Sequence, residues 1–235
     1  MKKLVALCLL IIASTTTAKA ADSGAFKSLQ ASHDVPLETN PQSAFWNEAQ
    51  PVYLEVDNWG KAVPNHRTEV LSRWTKNNLY LLFVCPYQEL NLKPNPHPKT
   101  ETYQLWNWDV AEAFIGSDLH NIRRYKEFEL SPQGEWIDLD INLNNPHHEN
   151  GWVWNSGFKV AARIDRKNKI WYGAMRIPFA AIDPHAPMAG STFRINMFRM
   201  QGRAPGTKSI VWQPTMSQTF HVPERFGRLQ LVDSK

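Results

Sequence analysis

Residues 135–143, EWIDLDINL, alternate without a break. Ile137, Leu139, Ile141 and Leu143 take one parity; Trp136, Asp138, Asp140 and Asn142 take the other. A period of two belongs to an extended strand with one apolar face, not to a helix. YKEFEL (125–130) alternates too, with Phe128 and Leu130 opposed to Glu127 and Glu129, and the SPQG between the two segments is a turn signal. NLYLLFV (78–84) is apolar on both faces, as a central strand is. FKVAARI (158–164) and KIWYGAMRI (169–177) flank DRKN as a second hairpin; STFRINMFRM (191–200) and FGRLQLV (226–232) add two more strands. Helical periodicity is limited to one turn near Phe179–Ile182, and the Pro-rich LKPNPHPKT (92–100) is a long loop. Many short strands joined by turns predict an all-β protein: an antiparallel β-sandwich or jelly-roll-like single domain over residues 46–235. The polar segment 21–45 is expected to be an entry arm.

The first 20 residues have a different character. Lys2-Lys3 precedes an apolar run from Leu4 to Ala13, and Ala18-Lys19-Ala20 supplies a cleavage site. This is the pattern of a secretory signal peptide cut after Ala20, and it implies a periplasmic or secreted protein. The run is too short to span a bilayer, which takes roughly 20 apolar residues, and no later segment qualifies. Loss of Lys2, Lys3 and Lys19 leaves 23 Lys/Arg against 22 Asp/Glu. A chain so close to neutral gives no case for nucleic acid or an anionic membrane as partner. Cys85 is then the one remaining cysteine, so no intramolecular disulfide is expected and the fold rests on its core.

All ten tryptophans lie beyond residue 20, and two of them fall in LWNWDVAEAF (105–114). In an extended chain Trp106, Trp108, Val110, Glu112 and Phe114 share a parity; Asp109, Ala111 and Ala113 share the other. Asp109 and Glu112 therefore point apart. The two carboxyls of a glycosidase face one another about 5–9.5 Å apart, so these two are not expected to be catalytic, and no other close acid pair is signalled. Trp108 and Phe114 are expected in the core. Trp106, ahead of the strand proper, is the candidate platform for a sugar ring. Such a ring stacks its C–H face on an aromatic and needs carboxylates, amides or guanidinium groups for its hydroxyls. Trp106 and Glu112 would lie about 20 Å apart along a straight strand, so sharing one ligand requires a bend near Asn107–Trp108. VWQPTMSQTFHVPERFG (211–227) sets Trp212, Phe220 and His221 among turn residues. It reads either as a loop closing the sandwich or as a ligand-binding loop. NPHHEN (145–150) offers two histidines, but adjacent residues of a strand point apart and spacing supplies no third ligand.

The succession LYLLFV, LWNWDVAEAFI, YKEFELSPQG, IWYGAMRIPF, FRINMFR and WQPT…FHVPERFG resembles the family 9 carbohydrate-binding modules and their secreted bacterial relatives. It covers roughly residues 45–232, and its most specific elements are W-x-x-D-x-x-E-x-F and the terminal P-x-x-F-G. The resemblance implies a β-sandwich that binds a mono-, oligo- or polysaccharide without catalysis, in carbohydrate catabolism. It also implies structural calcium and glycan-degrading enzymes as partners. The family's first stacking tryptophan falls on Trp106, its sugar-contacting glutamate on Glu112 and its second stacking aromatic on Phe220, where relatives can carry Trp. A family arginine falls on Glu129, a reversal of charge. Together with His221, these residues form the expected binding set. Two alternatives stay open. One is glycoside hydrolase activity on O-glycosyl bonds. The other is a haem-binding electron carrier, since distant sandwich relatives hold haem between Met and His and this chain has Met175, Met197, Met200, His185 and His221; it has no C-x-x-C-H attachment site.

Overall fold

The computed structural model describes residues 24–145 and 152–234. The signal segment (1–20) and the histidine pair His147–His148 lie outside the described residues. Twelve strands follow in chain order: β1 (Ala25–Gln30), β2 (Val52–Leu54), β3 (Thr68–Trp74), β4 (Asn78–Pro86), β5 (Val110–Gly116), β6 (Arg124–Leu130), β7 (Trp136–Asn142), β8 (Lys159–Asp165), β9 (Ile170–Pro178), β10 (Thr192–Gln201), β11 (Lys208–Val211) and β12 (Gly227–Val232). The expected helical turn is α1 (Phe179–Ile182). The strands pair in the order β7-β6-β5-β10-β12-β1-β3-β4-β9-β8, with β11 on β10 and β2 on β3.

That hydrogen-bonded path curls back on itself into a sandwich. Gly173 on β9 marks the contact between its two arms. A Cβ there would lie 2.7 Å from a Leu130 methyl of β6, so only glycine lets the layers close to this distance. Leu79, Leu81, Phe83 and Cys85 of β4 fill the space between layers. They meet Ala111, Ala113 and Ile115 of β5, Ile195 and Met197 of β10, and Trp171 and Met175 of β9. Burying each large side chain of this kind stabilises the fold by roughly 1.5–3 kcal/mol.

Two further apolar clusters cover the outer faces. Trp46, Leu71, Tyr80, Leu82 and Ala174 pack where residues 35–49 cross β3, β4 and β9. Phe114, Tyr125, Ile137, Leu139, Ile141 and Phe198 form the outer face of β5, β6, β7 and β10. The alternation of residues 135–143 thus serves this outer cluster. Asp138, on the inward parity, is fully buried and accepts hydrogen bonds from the backbone N–H (2.8 Å) and hydroxyl of Ser156.

The segment expected as an entry arm contains a strand. β1 lies at the middle of the path and pairs in parallel with both β12 and β3, so the sheet is not wholly antiparallel. AFKSLQ carries a short alternation, with Phe26 and Ser28 buried, and the buried Ser28 hydroxyl is satisfied by that of Ser72 at 2.7 Å. A serine in the place of an apolar residue concealed the pattern.

Candidate ligand cavity

The register of three strands builds the floor. Glu112 on β5 is flanked by Glu129 on β6 and Phe198 on β10, and Phe114 is opposed to Glu127. All lie on the outer parity. The result is three glutamates, Glu112, Glu127 and Glu129, each offering a carboxylate oxygen within 4.8 Å of the others. They are 0–3 % exposed, and none takes part in the ion pairs found among the described residues. Burial disfavours the charged form of each. Burial, then the charge of Glu127, holds Glu112 well above the usual carboxylate range. Burial, then the charges of Glu112 and Glu127, does the same to Glu129. Burial raises Glu127 to about 7.

The floor opens into a cavity of about 840 Å3 whose lining includes Trp106, Glu112, Phe114, Glu127, Met200, Phe220 and His221. This volume falls within the range typical of small-molecule sites. One wall comes from LWNWDVAEAF. Gln104 adopts a left-handed backbone (φ 61°), and Leu105–Asn107 form a 3₁₀ turn before the chain extends through Trp108. The turn supplies the bend that Trp106 and Glu112 require, and both reach the same cavity. Trp106 is half-buried and meets Tyr103 edge-on at 5.4 Å. The turn also overturns the expectation for Trp108. The buried residue of this segment is Leu105, whereas Trp108 is only half-buried, because the strand alternation begins at Val110.

Asp109 points away from the cavity, as the parity predicts. Its carboxylate accepts from the backbone N–H of Gly202 (2.6 Å) and Asn91 (3.1 Å) and from Gln201 Nε2 (2.9 Å). It ties the start of β5 to two loops, and burial raises it to about 6.

The opposite wall is the loop between β11 and β12. Phe220 stacks on Phe198 at 4.3 Å, with the rings 9° from parallel. His221 stacks on Phe114 at 5.2 Å and shares a 2.6 Å hydrogen bond with the Tyr125 hydroxyl through Nδ1. Asn58 and Asn196 pin this loop from behind. Asn58 Nδ2 donates to the Ser217 carbonyl (3.0 Å), and the Asn196 side chain both donates to Gln213 O (2.9 Å) and accepts from Gln213 N (3.0 Å). Gly227, which ends the P-x-x-F-G stretch, sits where a Cβ would come within 2.6 Å of the Trp212 ring.

Trp106, Glu112, Phe220 and His221 therefore line one cavity, whereas Glu129 is fully buried outside that lining, opposite Glu112 on β6. Glu127 was not singled out by sequence reasoning, and the absence of a second close acid pair is corrected: three carboxyls meet here. The signal was present in the alternation of YKEFEL, but it becomes an acidic group only through pairing with β5. Of the haem candidates, Met200 and His221 line the cavity, Met175 and Met197 are buried between the layers, and His185 is exposed beside Asp183. Calcium takes six to eight oxygen ligands. The three glutamates, which border Leu139 and Phe114, offer carboxylate oxygens close enough to share one ion. Among the described residues no helix is long and apolar enough to cross a membrane.

Residues 41–234 match the family model described as carbohydrate family 9 binding domain-like. The chain is 24% identical over 193 residues, 75% of its length, to a protein of Arthroderma benhamiae named "Extracellular protein", of which it spans 86%. Its fold is similar to a family 9 carbohydrate-binding module of Caldicellulosiruptor kristjanssonii solved with cellotriose (TM-score 0.65, 13% identity, 90% of this chain and 95% of that one). It is similar also to a putative carbohydrate-binding protein of Bacteroides uniformis (TM-score 0.69, 15% identity, 88% and 98%).

Proposed function

This chain belongs to the carbohydrate family 9 binding domain-like family, and from that premise we propose that it is an exported saccharide-binding protein whose ligand occupies the cavity between Trp106 and Phe220. One observation carries the reading. A 3₁₀ turn and a pinned loop, far apart in sequence, deliver two aromatic side chains to the rim of one cavity with carboxyl groups on its floor. Aromatic faces suit the C–H face of a sugar ring, and carboxyls and His221 suit its hydroxyls. A structural neighbour binds cellotriose and another binds glucose, which supports a saccharide of that general kind. The basic start, short apolar run and A-K-A site of residues 1–20 support export to the periplasm or beyond, as does a relative named for an extracellular location. A place in carbohydrate catabolism beside glycan-degrading enzymes follows as part of the same proposal.

We read the site as binding rather than hydrolytic. The three carboxyls project side by side from one sheet face, whereas a glycosidase needs two carboxyls flanking the scissile bond. A glycan array probed with the protein, run beside a reducing-sugar assay on the glycans that bind, tests this. Binding without release is the expected result, and release that Glu112→Gln abolishes contradicts it.

A further inference from the structure

The floor of the cavity gathers more carboxyl groups than hydroxyl recognition requires. Glu112 Oε1 is buried without a hydrogen-bond partner, and Glu127 Oε2 and both carboxyl oxygens of Glu129 have none beyond the Glu127–Glu129 pair itself. Buried ionised carboxylates are strongly disfavoured when unpaired, and proteins pair or neutralise them. Among the described residues no cationic side chain pairs with them. Arg123 lines the cavity, but it is exposed, and its guanidinium is engaged with Asn144 Oδ1 (2.8 Å) and the Leu143 carbonyl (2.6 Å).

We propose that the saccharide taken by this cavity carries a protonated amino group, held by Glu112 and Glu127 with Glu129 as the third carboxyl of the group. This rests on the saccharide-binding reading above. A hydroxyl donates one proton, whereas an ammonium donates three in a tetrahedral fork. Acceptors about 2.8 Å from such a nitrogen lie about 4.6 Å apart, which suits oxygens that all lie within 4.8 Å of one another. An isolated metal ion would satisfy the charge but would leave the aromatic walls and most of a cavity of about 840 Å3 unused. An amino sugar uses both: its ring meets Trp106 or Phe220 while its ammonium reaches the floor. Glu129 is also where the resemblance places a family arginine, so this chain has a carboxylate where a cation would repel such a ligand.

The test is calorimetric titration at neutral pH with three matched probes: a β-1,4-linked glucosamine trimer, its N-acetylated counterpart and cellotriose. Calcium chloride alone is a fourth probe. The amine trimer is expected to bind at least about tenfold tighter than either neutral trimer. Glu127→Gln is expected to remove that preference, so that the amine trimer binds no tighter than the neutral trimers, with an unchanged circular-dichroism spectrum. Glu112→Gln serves as the second variant should Glu127→Gln misfold. Equal affinity for amine and neutral trimers overturns the inference and leaves the saccharide reading standing. Stoichiometric calcium binding lost in Glu127→Gln overturns it in favour of a metal site. Failure of all three trimers to bind overturns both readings together.

Discussion

Glu112 and Glu129 stand directly opposite one another on β5 and β6, both on the face that floors the cavity and both buried. Like charges directly opposed across a ladder are destabilising. Burial favours the protonated, uncharged form of both carboxyls, which relieves this repulsion.

This arrangement sets the pH dependence of stability. An unfolded Glu127 titrates near 4.5 and the folded one near 7. Within that window the unfolded chain binds fewer protons than the folded one, so stability falls as pH rises. Glu112 and Glu129 act in the same direction and extend the fall upward. Among the described residues the other titratable or charged groups at the cavity are Arg123 and His221, the latter hydrogen-bonded to Tyr125. Glu129→Gln is expected to raise the neutral-pH melting temperature, by about 2–4 °C for each kcal/mol regained, and to flatten the slope above pH 5. Thermal melts across that range check this; a melting temperature lowered by the substitution contradicts it.

The two tryptophans and the phenylalanine of LWNWDVAEAF separate by burial. Phe114 is 1 % exposed and central to the outer cluster, so Phe114→Ala is expected to cost about 3–5 kcal/mol. Trp108 is half-buried beyond the strand, and Trp108→Ala is expected to cost about 1 kcal/mol. Urea denaturation of the two variants decides between this order and the reverse.

The sequence order of these residues explains what was legible. Unbroken alternation in 135–143 and 125–130 located strands and faces correctly. The parity rule then failed at Trp108 because it assumed that extension began at Trp106. A left-handed Gln104 and a 3₁₀ turn intervene, and nothing in Gln104 or Leu105 announces them. β1 escaped because Ser28 and Lys27 dilute a six-residue pattern, and its parallel partner β12 lies near the other end of the chain. Trp106, Glu112 and Phe220 follow from the family resemblance, with His221 beside Phe220, and the structure brings them to one cavity. Glu127 needed the β5–β6 register, which joins residues across a loop and is not written in either segment alone.

Cys85 is fully buried in the inter-layer core, and burial pushes its thiol up to about 12. The thiolate is the reactive form. Peptide mapping after iodoacetamide treatment is expected to find Cys85 unmodified in native protein and modified in denaturant. Reductant is expected to leave the melting temperature unchanged. Native alkylation, or a drop of several degrees on reduction, contradicts this packing.

The most direct measurement is calorimetric titration of the saccharide that the array identifies into the unmodified protein, Trp106→Ala and Phe220→Ala. Each variant is expected to lose roughly 1–3 kcal/mol of affinity, by analogy with the loss of an aromatic stacking partner for a nucleic-acid base. Trp106→Ala is expected to change stability by about 0.5 kcal/mol, and Phe220→Ala by about 1 kcal/mol because that ring stacks on Phe198. If one sugar ring touches both aromatics, the losses are expected to be non-additive in the double variant. Affinity unchanged in both single variants, with the fold intact, would contradict the account: the cavity walls would then be structural and the saccharide would bind elsewhere.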